Sequence, residues 1–296
     1  MVFLLSTGAA AGAGLDACPP APARHAAAAE RTLRIETPDG RIAATFARPE
    51  GVEPAALALM LHGYTGARDE FPVQGGEGMF ARAARAFAER GVASLRIDFI
   101  GSGESDGAWA DTTFETQARD ALRARDFLAA TVGREGAPLG VLGFSQGGLV
   151  ALKAAREGGF DRVALWNPVL APRETYRAIF GDALDAGFAA AAEGPGGAQV
   201  AGTGLRPGFF AGVAAADPAA DAVAIAAPLL AVSGARDMLA AQGPARAEAL
   251  AAARAAPTTA VAVAGGHDLG AVGEPALLDA VIACTAGFLL GLAPRP

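Results

Sequence analysis

The chain has 296 residues and a formal net charge of −7, with Lys153 as its only lysine. No basic stripe runs along it, so nucleic acid is not an expected partner. Hydrophobic residues make up 52%, much of that alanine, and no apolar run approaches the roughly 18 residues that a membrane-spanning helix needs. The two cysteines, Cys18 and Cys284, are too few for a disulfide framework or a zinc site. Cys284 lies in an apolar helical stretch and reads as a small core residue.

In chain order, "MVFLLSTGAAAGAG" resembles the apolar part of a signal peptide, and small residues near Ala29 offer cleavage positions, although a basic n-region is missing. Residues 1–30 are therefore read as a leader outside the fold. Export to the periplasm or medium is expected, with a cytoplasmic location as the alternative. From residue 31 the pattern is regular, and residues 31–296 read as one domain. "TLRIETPDGRIAATFARP" alternates around Asp39-Gly40 as two antiparallel strands would. "ALALMLHG" is a continuous apolar run, the mark of a strand buried on both faces. Helical and strand patterns then alternate through "RVALWNP", which implies a mostly parallel sheet with helices on both faces. Residues 168–226 break the rhythm. They are rich in Gly, Ala and Pro and read as an irregular, mobile excursion. A strand, a helix, the eighth strand and a closing helix follow.

The chemistry centres on "GFSQG", residues 143–147, at a predicted strand-to-helix junction. Glycines on both sides of Ser145 suit a nucleophile elbow, a strained turn that holds the serine oxygen clear of the sheet. A serine hydroxyl is a weak nucleophile until a base takes its proton. In elbows of this type the acid and then the base follow the serine along the chain. Of the three histidines, His25 falls in the leader, His62 precedes the serine and organises a loop, and His267 alone comes late enough. Asp237, in "SGARD" just past a strand, is the carboxylate expected to orient it. Asp268 suits a capping role. An oxyanion hole needs two convergent N–H donors. Gln146 supplies one by following the nucleophile, and Tyr64 in "HGYTG" is expected to supply the other. "DFIGSGESDG" lacks the spacing of a phosphate loop and reads as a turn beside the site.

Taken together, "HGYTG", "RIDFIGSGESDG", "GFSQGG", "SGARD" and "GGHD" resemble the α/β-hydrolase superfamily, and within it the cinnamoyl/feruloyl esterase-like branch. The resemblance implies an α/β-hydrolase fold with a mostly parallel eight-stranded sheet and a lid inserted after the sixth strand, at residues 168–226. It agrees with oxyanion donors at Tyr64 and Gln146. It also points to Tyr176, Phe209 and Phe210 as substrate-binding residues, with Asp182 and Asp185 as further contributors. The expected activity is hydrolysis of a small-molecule carboxylic ester through an acyl-enzyme, with no cofactor and no metal. A peptidase or thioesterase would use the same machinery, and a receptor with a residual triad is the non-enzymatic rival. Whether the chain pairs as a homodimer is left open.

Overall fold

The structure, a computed structural model, describes residues 14–24, 28–132, 136–240 and 242–292. Its eight strands are β1 (Ala28–Thr37), β2 (Gly40–Pro49), β3 (Ala56–Leu61), β4 (Val92–Ile97), β5 (Leu139–Phe144), β6 (Arg162–Trp166), β7 (Leu229–Gly234) and β8 (Thr258–Val263). They form one sheet in the order β1-β2-β4-β3-β5-β6-β7-β8. The β1–β2 hairpin and the β2–β4 pairing are antiparallel. Every pairing from β4 to β8 is parallel. Each residue of β3, β4, β5 and β7 is buried, as strands covered on both faces must be, and Ser94 and Arg96 of β4 are buried with the rest.

Alternate residues along β3 serve opposite faces, because side chains in a strand point up and down in turn. Leu57, Leu59 and Leu61 pack with α2 (Phe114–Val132) and α3 (Gln146–Arg156), while Ala58 and Met60 pack with α1 (Met79–Ala88) and α9 (Pro275–Leu289). All the parallel strands run the same way, so the loops that follow them gather at one edge. Ligand sites of open α/β sheets lie at that carboxyl edge.

Two expectations are corrected here. The segment after β6 is not irregular. It folds into α4 (Pro172–Phe180), α5 (Ala183–Glu193), α6 (Pro207–Ala215) and α7 (Pro218–Ala224). Each of α4, α6 and α7 has proline in its first turn, where the missing N–H costs nothing. The first three share a core of their own with Phe114 and Leu149, built around Tyr176, Leu205, Phe209 and Phe210. By contrast, α7 lies on the body: Ala222 and Ile225 join the main core, and Asp221 pairs with Arg156 of α3 at 2.8 Å. Within residues 168–226, α7 thus packs on α3 while the other three helices pack on one another. The helical period of α5 and α6 is faint in the sequence because apolar residues lie on most sides of both helices.

The second correction concerns the N-terminus. Residues 1–13 and His25 lie outside the described residues, but residues 14–24 belong to the folded body. Cys18 forms a disulfide with Cys284, with Cα atoms 5.3 Å apart. Ala21 N–H donates to Ala283 carbonyl at 3.0 Å, and Arg90 Nε donates to Ala21 carbonyl at 2.9 Å. The segment passes so close to α9 that a Cβ on Gly287 would sit 1.9 Å from Pro19 carbonyl. Cys284 is thus a cross-link and not merely core filling, and a cleavage at Ala29 would discard its partner. Closing a loop of 266 residues restricts the unfolded chain strongly. Reducing agent should lower the unfolding free energy by about 2–5 kcal/mol in urea titrations. Cys18→Ser should be destabilised to the same degree and should not respond to the reductant; a reductant-insensitive wild type would contradict the cross-link.

Candidate active site

Ser145 stands between β5 and α3 with φ 53° and ψ −117°. A non-glycine residue at positive φ is strained, and such strain clusters at functional sites. Its neighbours show why they are glycines. A Cβ on Gly147 would lie 2.1 Å from Leu61 carbonyl, and one on Gly143 would lie 2.2 Å from Gly147 carbonyl. The turn is pinned by Ser145 N–H, which donates to Trp166 carbonyl at 2.9 Å.

Three strand ends bring the remaining groups to this serine. His267 follows β8, and its Nε2 lies 3.0 Å from Ser145 Oγ. Asp237 follows β7, and its Oδ2 lies 2.8 Å from His267 Nδ1. A carboxylate can only accept, so Nδ1 carries the hydrogen and Nε2 presents its lone pair to the serine hydroxyl. Asp237 Oδ1 is held by Leu239 and Ala240 N–H at 2.8 and 3.0 Å. Burial pushes the Asp237 carboxyl up, but the hydrogen bond and charge of His267 and the two backbone donors together hold it below its ordinary value. It is therefore ionised at neutral pH. Asp268 accepts from Val272 N–H at 2.8 Å and caps its own loop.

The loop after β3 carries the expected second oxyanion donor. Neither Tyr64 N–H nor Gln146 N–H donates to another described residue, and Gly63 lets the loop close on the nucleophile: a Cβ there would be 3.2 Å from Ser145 Cβ. His62 is buried and organises this loop. Its Nδ1 donates to Gly63 carbonyl at 2.8 Å and its Nε2 accepts from Phe99 N–H at 3.2 Å. Burial depresses its pKa, against the opposing pull of Gly63 and Asp98. The "DFIGSGESDG" turn is built on Asp98, which pairs with Arg68 and accepts from Glu104 N–H at 2.9 Å.

Tyr176, Phe209 and Phe210 are all shut off from solvent. Tyr64 meets Tyr176 at 5.9 Å and Phe209 at 6.1 Å between ring centroids, so these two adjoin the oxyanion loop. Tyr176 Oη also donates to Gln146 Oε1, and Gln146 Nε2 donates to Gln117 Oε1 at 2.8 Å. Phe210 faces away, against Gly187 of α5. Asp182 flanks α5, and Asp185 pairs with Arg177 on the insertion's own surface. Among the described residues no cluster of three or more His, Cys, Asp or Glu could hold a metal ion, and no helix is long and apolar enough to cross a membrane.

Sheet order, elbow and convergent loops decide the fold. This chain has the α/β-hydrolase fold. The family model described as serine aminopeptidase, S33, matches residues 54–191 of this chain. Among solved structures, Est1E from Butyrivibrio proteoclasticus with ferulic acid bound is similar at 21% identity, covering 88% of this chain and 98% of its own, with a TM-score of 0.69. An esterase of Pyrococcus furiosus is 18% identical over 90% of this chain and 92% of its own, with a TM-score of 0.64. A dienelactone hydrolase from Anabaena variabilis is 16% identical over 89% and 98%, with a TM-score of 0.61. No curated protein matches the sequence.

Asn167 carries no mark in the sequence that sets it apart as a site residue. Fully buried after β6, its Nδ2 donates to Gly266 and His267 carbonyls at 2.9 and 2.8 Å, and its Oδ1 accepts from Gly234 N–H at 2.6 Å. One amide thus ties the loop of His267 to the turn that leads to Asp237. An asparagine after a strand looks like any turn residue, so only its partners reveal the role. Asn167→Ala should lower kcat by about 10²-fold through misplacement of the imidazole, with little change in KM. Steady-state kinetics on an activated ester would check this; an unchanged kcat would contradict it.

Proposed function

We propose that the protein is a serine hydrolase acting on carboxylic esters through an acyl-enzyme. The single observation carrying this reading is the continuous hydrogen-bonded line from Asp237 through His267 to Ser145 Oγ. Ser145 Oγ attacks the ester carbonyl while His267 Nε2 takes its proton. The resulting oxyanion is received by the N–H groups of Tyr64 and Gln146. His267 then gives the proton to the departing alcohol, which leaves Ser145 acylated. Water, deprotonated by the same imidazole, releases the acid and restores the serine. Asp237 keeps the imidazole in the required tautomer throughout.

The substrate class follows from what surrounds Tyr64. Trp109, Tyr176, Phe180 and Phe209 all contact its ring, so the helices of the insertion act as a cap that favours aryl or other flat apolar acyl groups, hydroxycinnamates among them. Rings this well packed must shift to admit substrate. The aminopeptidase description of the matched family supports a peptide bond as the second reading, and parallel assays on aryl esters and aminoacyl amides separate the two. The disulfide supports an oxidising compartment, the periplasm or the exterior.

Ser145→Ala should cut ester turnover by about 10⁶-fold in kcat, and a fluorophosphonate should label Ser145 in the wild type. Asp237→Asn should lose about 10⁴-fold with the fold retained. Near-normal turnover in either variant would contradict the assignment.

The two neighbouring phenylalanines should behave differently. Phe209→Ala should raise KM for aryl esters more than for acetates, because its ring adjoins Tyr64. Phe210→Ala should act mainly on stability, with a loss of about 3–5 kcal/mol for a buried ring. Equal effects of both variants on KM and melting would contradict this division.

A further inference from the structure

The loop that carries Tyr64 contains a carboxyl group with no part in the steps above. Glu70 holds its backbone at φ 59°, and its side chain turns back into the loop, where Oε1 accepts from Gly63 N–H. Room for the carboxyl exists because residue 66 is glycine: a Cβ there would lie 2.7 Å from Glu70 Oε1. The same Gly63 would press a Cβ to within 3.2 Å of Ser145 Cβ. Glu70 is therefore bonded to the peptide immediately before the Tyr64 donor, on the far side of a glycine that touches the nucleophile. The positive φ of Glu70 is uncommon for a non-glycine residue, and local strain of this kind clusters at functional sites.

We propose that Glu70 is a positioning residue and acid–base switch for the oxyanion loop. Its neutral carboxyl holds Gly63 N–H and leaves the loop's donors free to stabilise the oxyanion. Its carboxylate places a negative charge one peptide from Tyr64 N–H and slows acyl transfer. The inference rests on the serine-hydrolase reading.

The charges around Glu70 leave it to act alone. Arg68 is engaged by Asp98 and Glu104, and Asp69 by Arg96. His62 is held by Gly63 and Phe99, burial pushes the Tyr64 phenol up to about 12, Asp237 is committed to His267, and Asp268 caps its loop. Burial pushes the Glu70 carboxyl up to about 7, against the opposing pull of Gly63 N–H. The switch would therefore operate around neutral pH, with the carboxyl protonated below and ionised above.

The test compares the pH dependence of kcat/KM for 4-nitrophenyl acetate and of the fluorophosphonate labelling rate at Ser145. Wild type and Glu70→Gln are measured from pH 5 to 9.5. The amide oxygen of glutamine can still accept from Gly63 N–H but carries no charge. The wild type should decline above pH about 7 while Glu70→Gln holds a plateau and exceeds it by about tenfold at pH 9. Below pH about 7 the two profiles should run together. A parallel decline in both proteins, or a uniform loss in the variant with the profile unchanged, overturns the switch. Ester turnover tests the serine-hydrolase reading separately: labelling without turnover would refute the ester assignment while the labelling profiles still decide the role of Glu70. If Glu70→Gln does not fold, the carboxyl is titrated in ¹³C-glutamate-labelled wild type, free and as the trifluoromethyl ketone adduct of Ser145. The anionic adduct should raise the Glu70 pKa, and an unshifted titration overturns the proposal.

Discussion

The site depends on how closely the turn between β5 and α3 can pass beneath its neighbours. Ser145 reaches the carboxyl edge at positive φ because Gly143 and Gly147 allow backbone to pass close to backbone, with Leu61 carbonyl 2.1 Å from where a Cβ on residue 147 would sit. Any side chain at 147 would push α3 off β3, and with it both the serine oxygen and the N–H of Gln146. Ser145, the proposed nucleophile, and Gln146 N–H, the proposed oxyanion donor, are thus fixed by a single steric contact. Its strain is held in place by the surrounding buried strands.

Around that contact, short polar ties align parts that lie far apart in the chain. Asn167 joins the ends of β6, β7 and β8. Trp166 Nε1 donates to Thr285 Oγ1 at 2.9 Å, which anchors β6 to α9 beside the Cys18–Cys284 cross-link. On the other flank, Tyr176 and Gln117 grip the side chain of Gln146 and couple the insertion to the residue that follows the nucleophile. Buried polar networks of this kind rigidify when fully partnered, although Gln117 Nε2 is left without a partner.

Much of this was legible in the sequence, for identifiable reasons. The unbroken apolar run of β3 and the largely apolar β4 to β7 stand out because both faces of those strands are covered. The grouping of Ser145, His267 and Asp237, the proposed triad, could be read because few residues qualify for each place: three histidines, one of them late, and an aspartate just past a strand. The rest depends on distance in space. Cys18 and Cys284 give no local sign of pairing. The helix α6 is apolar on every side and α5 nearly so, and α7 could be assigned to the body only through its contacts with α3. Asn167 and Glu70 read as ordinary turn residues, since what distinguishes them is the backbone groups they hold.

The central claim is that Ser145 becomes acylated and that this intermediate is then hydrolysed. Rapid mixing with a 4-nitrophenyl ester, followed by acid quench and intact-mass analysis, tests it most directly. The account predicts a burst of nitrophenol approaching one equivalent per chain and an acyl adduct that maps to Ser145 and decays at the steady-state rate. Turnover that proceeds with an adduct on another residue, or with no adduct when deacylation is slowed at low temperature, would contradict it.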